Sequence, residues 1–226
     1  MLRIQLSLAA ALALVAAGSA HAEPAWRVDI GSSTRWLGST SAASLTTDNL
    51  STANFGAEHR IATLTAPFEI PIEIAGGAGV NFGSSMGTVF QRLSTEIDTT
   101  ELVAAAHATA HLDHRIALSA RASLGASRTA VTLSDLYTTG LTPVDDHGWG
   151  TVSAASLGAE FAPVALQRFR LGVGAEVGYV ATSAIALHAY PSDRPASDLS
   201  IATTYASIGH LDLDGWAFRF SVHAAF

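Results

Sequence analysis

The dominant pattern in this chain is alternation of apolar and polar positions, the two-residue period of a β-strand rather than the 3.6-residue period of a helix. Its clearest instance lies at the end of the sequence, where Trp216, Phe218, Phe220, Val222, Ala224 and Phe226 occupy every second position, with Arg219, Ser221 and His223 between them. The same design recurs upstream. Val28, Ile30, Thr34 and Trp36 alternate with Arg27, Asp29 and Arg35, and Ile70, Ile72, Ile74, Ala78, Val80 and Phe82 alternate with Glu73, Gly77, Gly79 and Asn81. Leu102 to Ala110 is interleaved with His107 and Thr109, and Ile116 to Leu124 with Ser119, Arg121 and Ser123. Ala155 to Phe161 is interleaved with Ser156, Gly158 and Glu160, and Phe169 to Tyr179 with Arg170, Gly172, Gly174 and Glu176. A weaker segment, Ala57 to Thr65, sets His59 and Ile61 against Glu58 and Arg60, so eight strands are predicted.

The connections carry a second regularity. Long links are predicted at about residues 37–55, 84–99, 131–149 and 183–214, and short ones at Ala66 to Glu69, Leu112 to His114 and Pro163 to Gln167. Long and short links in strict alternation describe an up-and-down barrel with both termini on the side of the short turns. Trp26 and Trp36, Phe169 and Tyr179, and Trp216 and Phe226 are each ten residues apart on one strand face. At a tilt near 40° ten residues rise roughly 25 Å, the height of a lipid-facing apolar band between aromatic girdles. Past residue 22 no segment offers 18 consecutive apolar residues, and a bilayer admits only helices and closed barrels because each backbone amide needs an internal partner. A soluble lipocalin-like barrel would keep its apolar face inside instead. The predicted fold is therefore all-β: an eight-stranded antiparallel up-and-down transmembrane β-barrel with periplasmic N- and C-termini.

Composition narrows this further. The 226 residues are 49% hydrophobic and 14% charged, with a mean hydropathy of +0.31. The absence of cysteine excludes a disulfide framework, a thiolate nucleophile and a Cys-type metal centre, and the acidic balance speaks against nucleic acid as a partner. Arg3, the apolar run Leu8 to Ala17 and the small residues ending in Ala20-His21-Ala22 have the form of a secretory signal. The expected organisation is a signal peptide at 1–22 and a barrel at 23–226. Losing Arg3 turns the net charge of −7 into −8. That excess sits in the predicted outer links, which hold Asp48, Glu96, Asp98, Asp135, Asp145, Asp146, Asp193, Asp198, Asp212 and Asp214 against Arg92 and Arg194.

A strand of this pattern ending on Phe226, with Phe220 and Phe218 on the same face, resembles the last strand of Gram-negative outer-membrane barrels, which the barrel-assembly machinery reads. By pattern the mature chain resembles the small membrane-anchored barrels of the OmpA, OmpX and opacity-protein type. That resemblance implies a monomer in the bacterial outer membrane with a structural or surface-interaction role, presenting four outer loops. It implies outer-membrane lipids, lipopolysaccharide and the assembly machinery as partners, and an extracellular ligand on the loops.

The interior of an eight-stranded barrel is just wide enough for side chains to fill, and buried charges persist only when paired. Arg27, Asp29, Arg60, Glu73, Arg121, Glu160, Arg170, Glu176 and Arg219 are accordingly expected as a lumenal charge network that plugs the barrel. Gly76, Gly77 and Gly79 are expected to make room for lumenal arginines. Two other functions fit the same architecture. One is a narrow channel for small solutes. The other is a lipid A-modifying enzyme: lipid A deacylases, which this chain resembles in architecture, use a His-x-Ser pair with a carboxylate. No His-x-Ser occurs here, and the nearest triplet is His107-Ala108-Thr109, so no catalytic residue is assigned. His107 and His111 lie ~13 Å apart on a strand, too far to share an ion, and these residues and His114 are read as polar positions near the periplasmic rim. His111 and Asp113 flank a turn as a weak chelating pair. Asp145-Asp146-His147 and the 193–214 stretch invite a divalent cation, but lack the D-x-D-x-D-G spacing and are read as solvated loops. No metal or cofactor is expected.

Overall fold

A computed structural model describes residues 25–43, 45–46, 49–65, 70–89, 93–135, 144–166, 168–189 and 206–226. The signal segment, the turn at 66–69, Asp48, Arg92, Asp193, Arg194 and Asp198 lie outside the described residues. In chain order the elements are β1 (Trp26–Leu37), α1 (Thr40–Ala43), β2 (Asn49–Thr65), β3 (Pro71–Val89), β4 (Leu93–His111), β5 (Ile116–Asp135), β6 (Val144–Leu166), β7 (Phe169–Thr182), β8 (Ile185–Ala189), β9 (Ala206–Leu211) and β10 (Gly215–Ala225). Eight of the strands form a closed antiparallel barrel in the order β1-β10-β7-β6-β5-β4-β3-β2, and β8 and β9 form a separate two-stranded sheet. Closure comes from the first and last strands, in register from Arg27 opposite Ala225 to Leu37 opposite Gly215. Ala25 N donates to Phe226 O at 3.0 Å, so the described termini meet at one end.

Alternation along each strand sorts side chains between two very different surfaces. Trp26, Trp36, Leu102, Leu118, Leu124, Leu157, Val177, Trp216 and Phe218 stand exposed on the outer wall, while Asp29, Glu58, Glu101, His107, Glu160, Glu176 and His223 are buried inside. This inverts the order of a water-soluble domain. Edge-to-face ring pairs mark both levels of the outer wall, Trp26 with His59 at 4.8 Å and Tyr179 with Trp216 at 5.7 Å between centroids.

The strands run further toward the end away from the termini than the apolar pattern indicates. The second strand begins at Asn49 rather than Ala57, and β3 and β4 continue to Val89 and from Leu93, leaving residues 90–92 where a link over 84–99 was expected. Likewise β5 runs to Asp135 and β6 starts at Val144, inside the link expected over 131–149, and the stretch 183–214 contains the paired strands β8 and β9. The cause is a reversal of polarity. At this end Leu50, Ile97 and Val131 point inward and are fully or almost fully buried, while Ser51, Glu96 and Asp98 face out. A search for outward apolar residues therefore stops too early.

Those inward residues join Leu37, Ala42, Ile185, Leu211 and Leu213 in one apolar cluster, with Leu45 packed against it. The segment that follows β1 and the hairpin thus fold inward to complete a small core at the mouth. They also cover the protruding strand edges that would otherwise invite pairing with another chain. Along β6, Ser183 N donates to Thr151 O at 2.9 Å and Thr151 N to Ser183 Oγ at 2.8 Å. Along β3, Thr46 Oγ1 donates to Met86 O at 3.4 Å and Ser85 Oγ to Asn49 O at 2.5 Å. Near the other end β6 continues through Leu166 instead of turning at Pro163. The register shift between Phe161 and Val164 takes up the proline, which has no amide to offer a ladder.

Candidate functional site

The lumen is built in layers by the strand register. On β1, Arg27 lies opposite Glu58 of β2 and also reaches across the barrel to β6, with Nη1 2.9 Å from Glu160 Oε2 and Nη2 2.8 Å from Oε1. This is the two-pronged geometry that a guanidinium makes with a carboxylate. Glu58 faces His107 Nδ1 at 2.9 Å and Arg121 Nη2 at 3.0 Å. His107 Nε2 lies 3.5 Å from Glu160 Oε1, and His223 Nε2 3.6 Å from Glu160 Oε2. One step further in, Asp29 pairs with Arg219 and stands 3.7 Å from Arg121 Nη1. Arg219 Nη1 is 3.8 Å from Glu176 Oε1, and Ser156 Oγ donates to Glu176 Oε2 at 2.7 Å. A third layer holds Arg35, which donates to Glu101 Oε1 at 2.8 Å; Asn81 Nδ2 donates to Glu101 Oε2 at 2.9 Å and Asn54 Nδ2 to Asn81 Oδ1 at 3.0 Å. Arg35 Nη1 also donates to Leu213 O at 3.3 Å, tying this layer to the apolar mouth above it.

At the end near the termini a separate group forms. Glu73 Oε1 lies 3.8 Å from Arg60 Nη1 and 3.3 Å from His111 Nε2, and Arg170 Nη1 is 3.1 Å from His111 Nδ1. Across all layers Arg27, Arg35, Arg60, Arg121, Arg170 and Arg219 face Asp29, Glu58, Glu73, Glu101, Glu160 and Glu176, an equal number of each sign. Equality matters because an uncompensated ion in a low-dielectric interior costs several kcal/mol even after relaxation.

Of the nine charges expected in the lumen, Arg27, Asp29, Arg121, Glu160, Glu176 and Arg219 are brought together, while Arg60, Glu73 and Arg170 sit apart near the termini. Glu58, His107, His223, Arg35 and Glu101 were missed. Alternation does place Glu58 and His107 on the inner face. What it lacks is the register that puts Glu58 beside Arg27 and His107 beside Arg121. His107 is consequently no rim residue: it is 3% exposed and stands between two glutamates. His111 engages Glu73 rather than chelating with Asp113, whose partner is His114. Gly76, Gly77 and Gly79 do not make room for arginines: a Cβ on Gly76 would meet Ile61 Cδ1 on the outer wall at 2.9 Å, and one on Gly79 would meet Phe55 O at 2.8 Å. A Cβ on Gly77 would stand 2.8 Å from Glu58 Cγ, and one on Gly158 2.7 Å from Glu176 Cγ. Phe218 and Phe220 face outward on β10, and the Phe226 backbone is hydrogen-bonded to that of Trp26.

Among the described residues two cavities interrupt the lumen. One of about 240 Å³ is lined by Arg27, Glu58, Glu73, His107, Glu160 and Arg170, and one of about 90 Å³ by Arg35, Asn54, Asn81, Glu101, Arg121 and Glu176. His107 and Thr109, the outer members of the His-Ala-Thr triplet, are both buried inside, and His107 Nδ1 is engaged with Glu58. Among the described residues no group of three His, Asp or Glu side chains is placed to hold a metal ion. Chemically the arrangement is a set of closed ion pairs that tie opposite walls together.

No protein-family model matches the chain, and no curated protein does. Among solved structures it is similar to Ail, the attachment invasion locus protein of Yersinia pestis, at a TM-score of 0.41 and 11% identity over 90% of this chain and 98% of that one. It is similar to the same protein in complex with the heparin analogue sucrose octasulfate, at a TM-score of 0.42 and 12% identity over the same shares, 90% and 98%. The transport unit of the autotransporter AIDA-I from Escherichia coli gives a TM-score of 0.35 and 8% identity over 93% of this chain and 92% of that one. Likeness at this level assigns no activity or ligand to this chain.

Proposed function

We propose that this chain is an outer-membrane β-barrel with a structural or surface-interaction role, its lumen plugged and its acidic outer loops presented to the medium. One observation carries the reading: single strands reverse their inside-outside polarity part-way along. On β4 the inner face passes from His107 and Glu101 to Ile97, while the outer face passes from Leu102 to Asp98 and Glu96. A strand that is greasy outside at one level and polar outside at the next crosses from hydrocarbon into water. On this reading residues 1–22 are a signal peptide removed after Ala22, the termini are periplasmic, the protein is a monomer, and Phe226, Phe220 and Phe218 form the signal read by the assembly machinery.

Plugging is supported by two kinds of filling in series, ion pairs below and the Leu50, Ile97 and Val131 cluster above. The purified protein in planar bilayers is expected to show no large conductance, and a large one sinks the plug. Membrane fractionation with heat-modifiable gel mobility tests the location, since a barrel migrates differently before and after boiling. The enzyme alternative is tested by lipid A mass profiles of deletion and overexpression strains, expected to be unchanged.

A further inference from the structure

The outer wall of β5 carries six apolar residues at alternate positions from Ile116 to Ala126, and then Arg128. Arg128 is exposed and points outward, because its neighbours Ser127 and Thr129 are buried in the lumen at 2% and 0% exposure. Ten strand residues rise roughly 25 Å, so Arg128 stands at the upper border of the lipid band, at the depth of lipid head groups. Its register partners are Thr100 and Trp149, and Trp149 is itself 64% exposed. The nearest acid on this face is Asp98, two positions beyond Thr100, yet among the described residues Arg128 makes no ion pair or hydrogen bond. An unpaired guanidinium beside an exposed indole at this depth is complementary to a phosphate.

Below it the same wall is hollowed. A groove of about 680 Å³ is floored by Ala106, Ala108, Ala120, Ala122 and Ala155 and bounded by Leu157. Ala106, Ala122 and Ala155 are direct cross-strand partners, so the hollow runs across β4, β5 and β6. Ala122 and Arg128 share one face of β5, and the six-residue step from one to the other spans roughly 20 Å. A ligand that fits both features has a phosphate head and several acyl chains lying side by side.

We propose that this wall binds the lipid A part of lipopolysaccharide, with a lipid A phosphate on Arg128 and acyl chains in the alanine groove. The proposal rests on the outer-membrane reading, in which the end away from the termini faces the lipopolysaccharide leaflet. Native mass spectrometry tests it on barrel purified from outer membranes in mild detergent and, separately, on refolded barrel in nanodiscs containing equal lipid A and phosphatidylglycerol. Wild type is expected to retain lipid A. Arg128→Gln loses the adduct by roughly tenfold or more, as expected for a charged hydrogen bond, and Ala122→Phe, which fills the groove, loses it too. Ser32→Phe, on the outer face of β1, keeps it. Adducts indifferent to both Arg128→Gln and Ala122→Phe, equal retention of phosphatidylglycerol, or a protein dimer in place of the adduct overturns the proposal. Failure to find the protein in outer membranes overturns the location instead, and the nanodisc arm still decides the lipid site.

Discussion

The interior near the termini and the interior at the far mouth are made by the same strands with the same alternation, yet they are filled by opposite chemistries. Around Glu58, His107 and Glu160 the inner face is charged and the outer face is leucine, alanine and aromatic. Around Leu50, Ile97 and Val131 the inner face carries aliphatic residues amid buried threonines and, among the described residues, no charge; the outer face carries serine, aspartate and glutamate beside Met86. On the proposed outer-membrane reading, hydrocarbon outside supplies the hydrophobic setting below, so the inner face is free to be polar provided each ion has a partner. Above, water is outside, and the protein must bury its own apolar groups as a soluble domain does. The surrounding solvent, read through a two-residue period, decides which side of the wall each residue type occupies.

The largest break in this comparison should come from the lower layers. Glu58→Leu removes the nearest carboxylate of both His107 and Arg121 and is expected to cost roughly 3–5 kcal/mol, read as a lower urea midpoint for heat-modifiable mobility. A midpoint equal to that of the exposed control Glu96→Gln would falsify the idea that these layers hold the walls together. Next, Ile97→Ala at the mouth should cost about 2–5 kcal/mol, and limited proteolysis should find the 183–214 segment cut sooner than in wild type. Arginine scanning then sharpens the boundary. Ala122→Arg, near the middle of the lipid band, is expected to cost about 2–4 kcal/mol, whereas Glu96→Arg, beyond it, should stay within about 0.5 kcal/mol; equal costs would erase the distinction between the two levels.

The smallest effect concerns Asp212, whose carboxyl is pushed above its ordinary value by burial and by its neighbour Asp214. Both carboxylates accept from Thr182 Oγ1, at 3.3 and 3.1 Å, and Ser41 Oγ receives the Asp212 amide at 3.3 Å. A carboxyl raised in the folded state adds stability below its unfolded value and loses it as pH climbs through its folded value. Amide exchange at Leu213 should therefore be better protected in mild acid than at neutrality, and Asp212→Asn should flatten that difference.

Much of the barrel was legible because its outer face in the lipid band is monotonously apolar. Trp216 to Phe226 announces a strand without help from any partner. The far ends of β2 to β6 were not legible, since Leu50 and Ile97 carry their apolar signal on the opposite phase and read as breaks. The network was half legible for a related reason. Alternation tells that Arg27 and Glu160 share the inside, but their meeting depends on β1 and β6 facing each other across the lumen, three places apart round the ring, which only closure supplies. Glu101 was lost to a strand start placed one residue late, and with it the partner of Arg35.

Closure of the ring by its first and last strands has a consequence for how the molecule comes into being. Arg219 lies near the end of the chain and its partner Asp29 near the start, so their ion pair forms only in the closing step. Contacts of such long sequence separation are slow to form, because the intervening loop must be gathered before the pairing returns anything. A closing strand slipped by two residues would keep every side chain on its proper face. Arg219 stands opposite Ser33, four residues above Asp29, so a slip that carries it towards Arg35 draws it roughly 7 Å further from Asp29. The last pair to form thus guards against a slip in that sense, which hydrophobicity alone would accept.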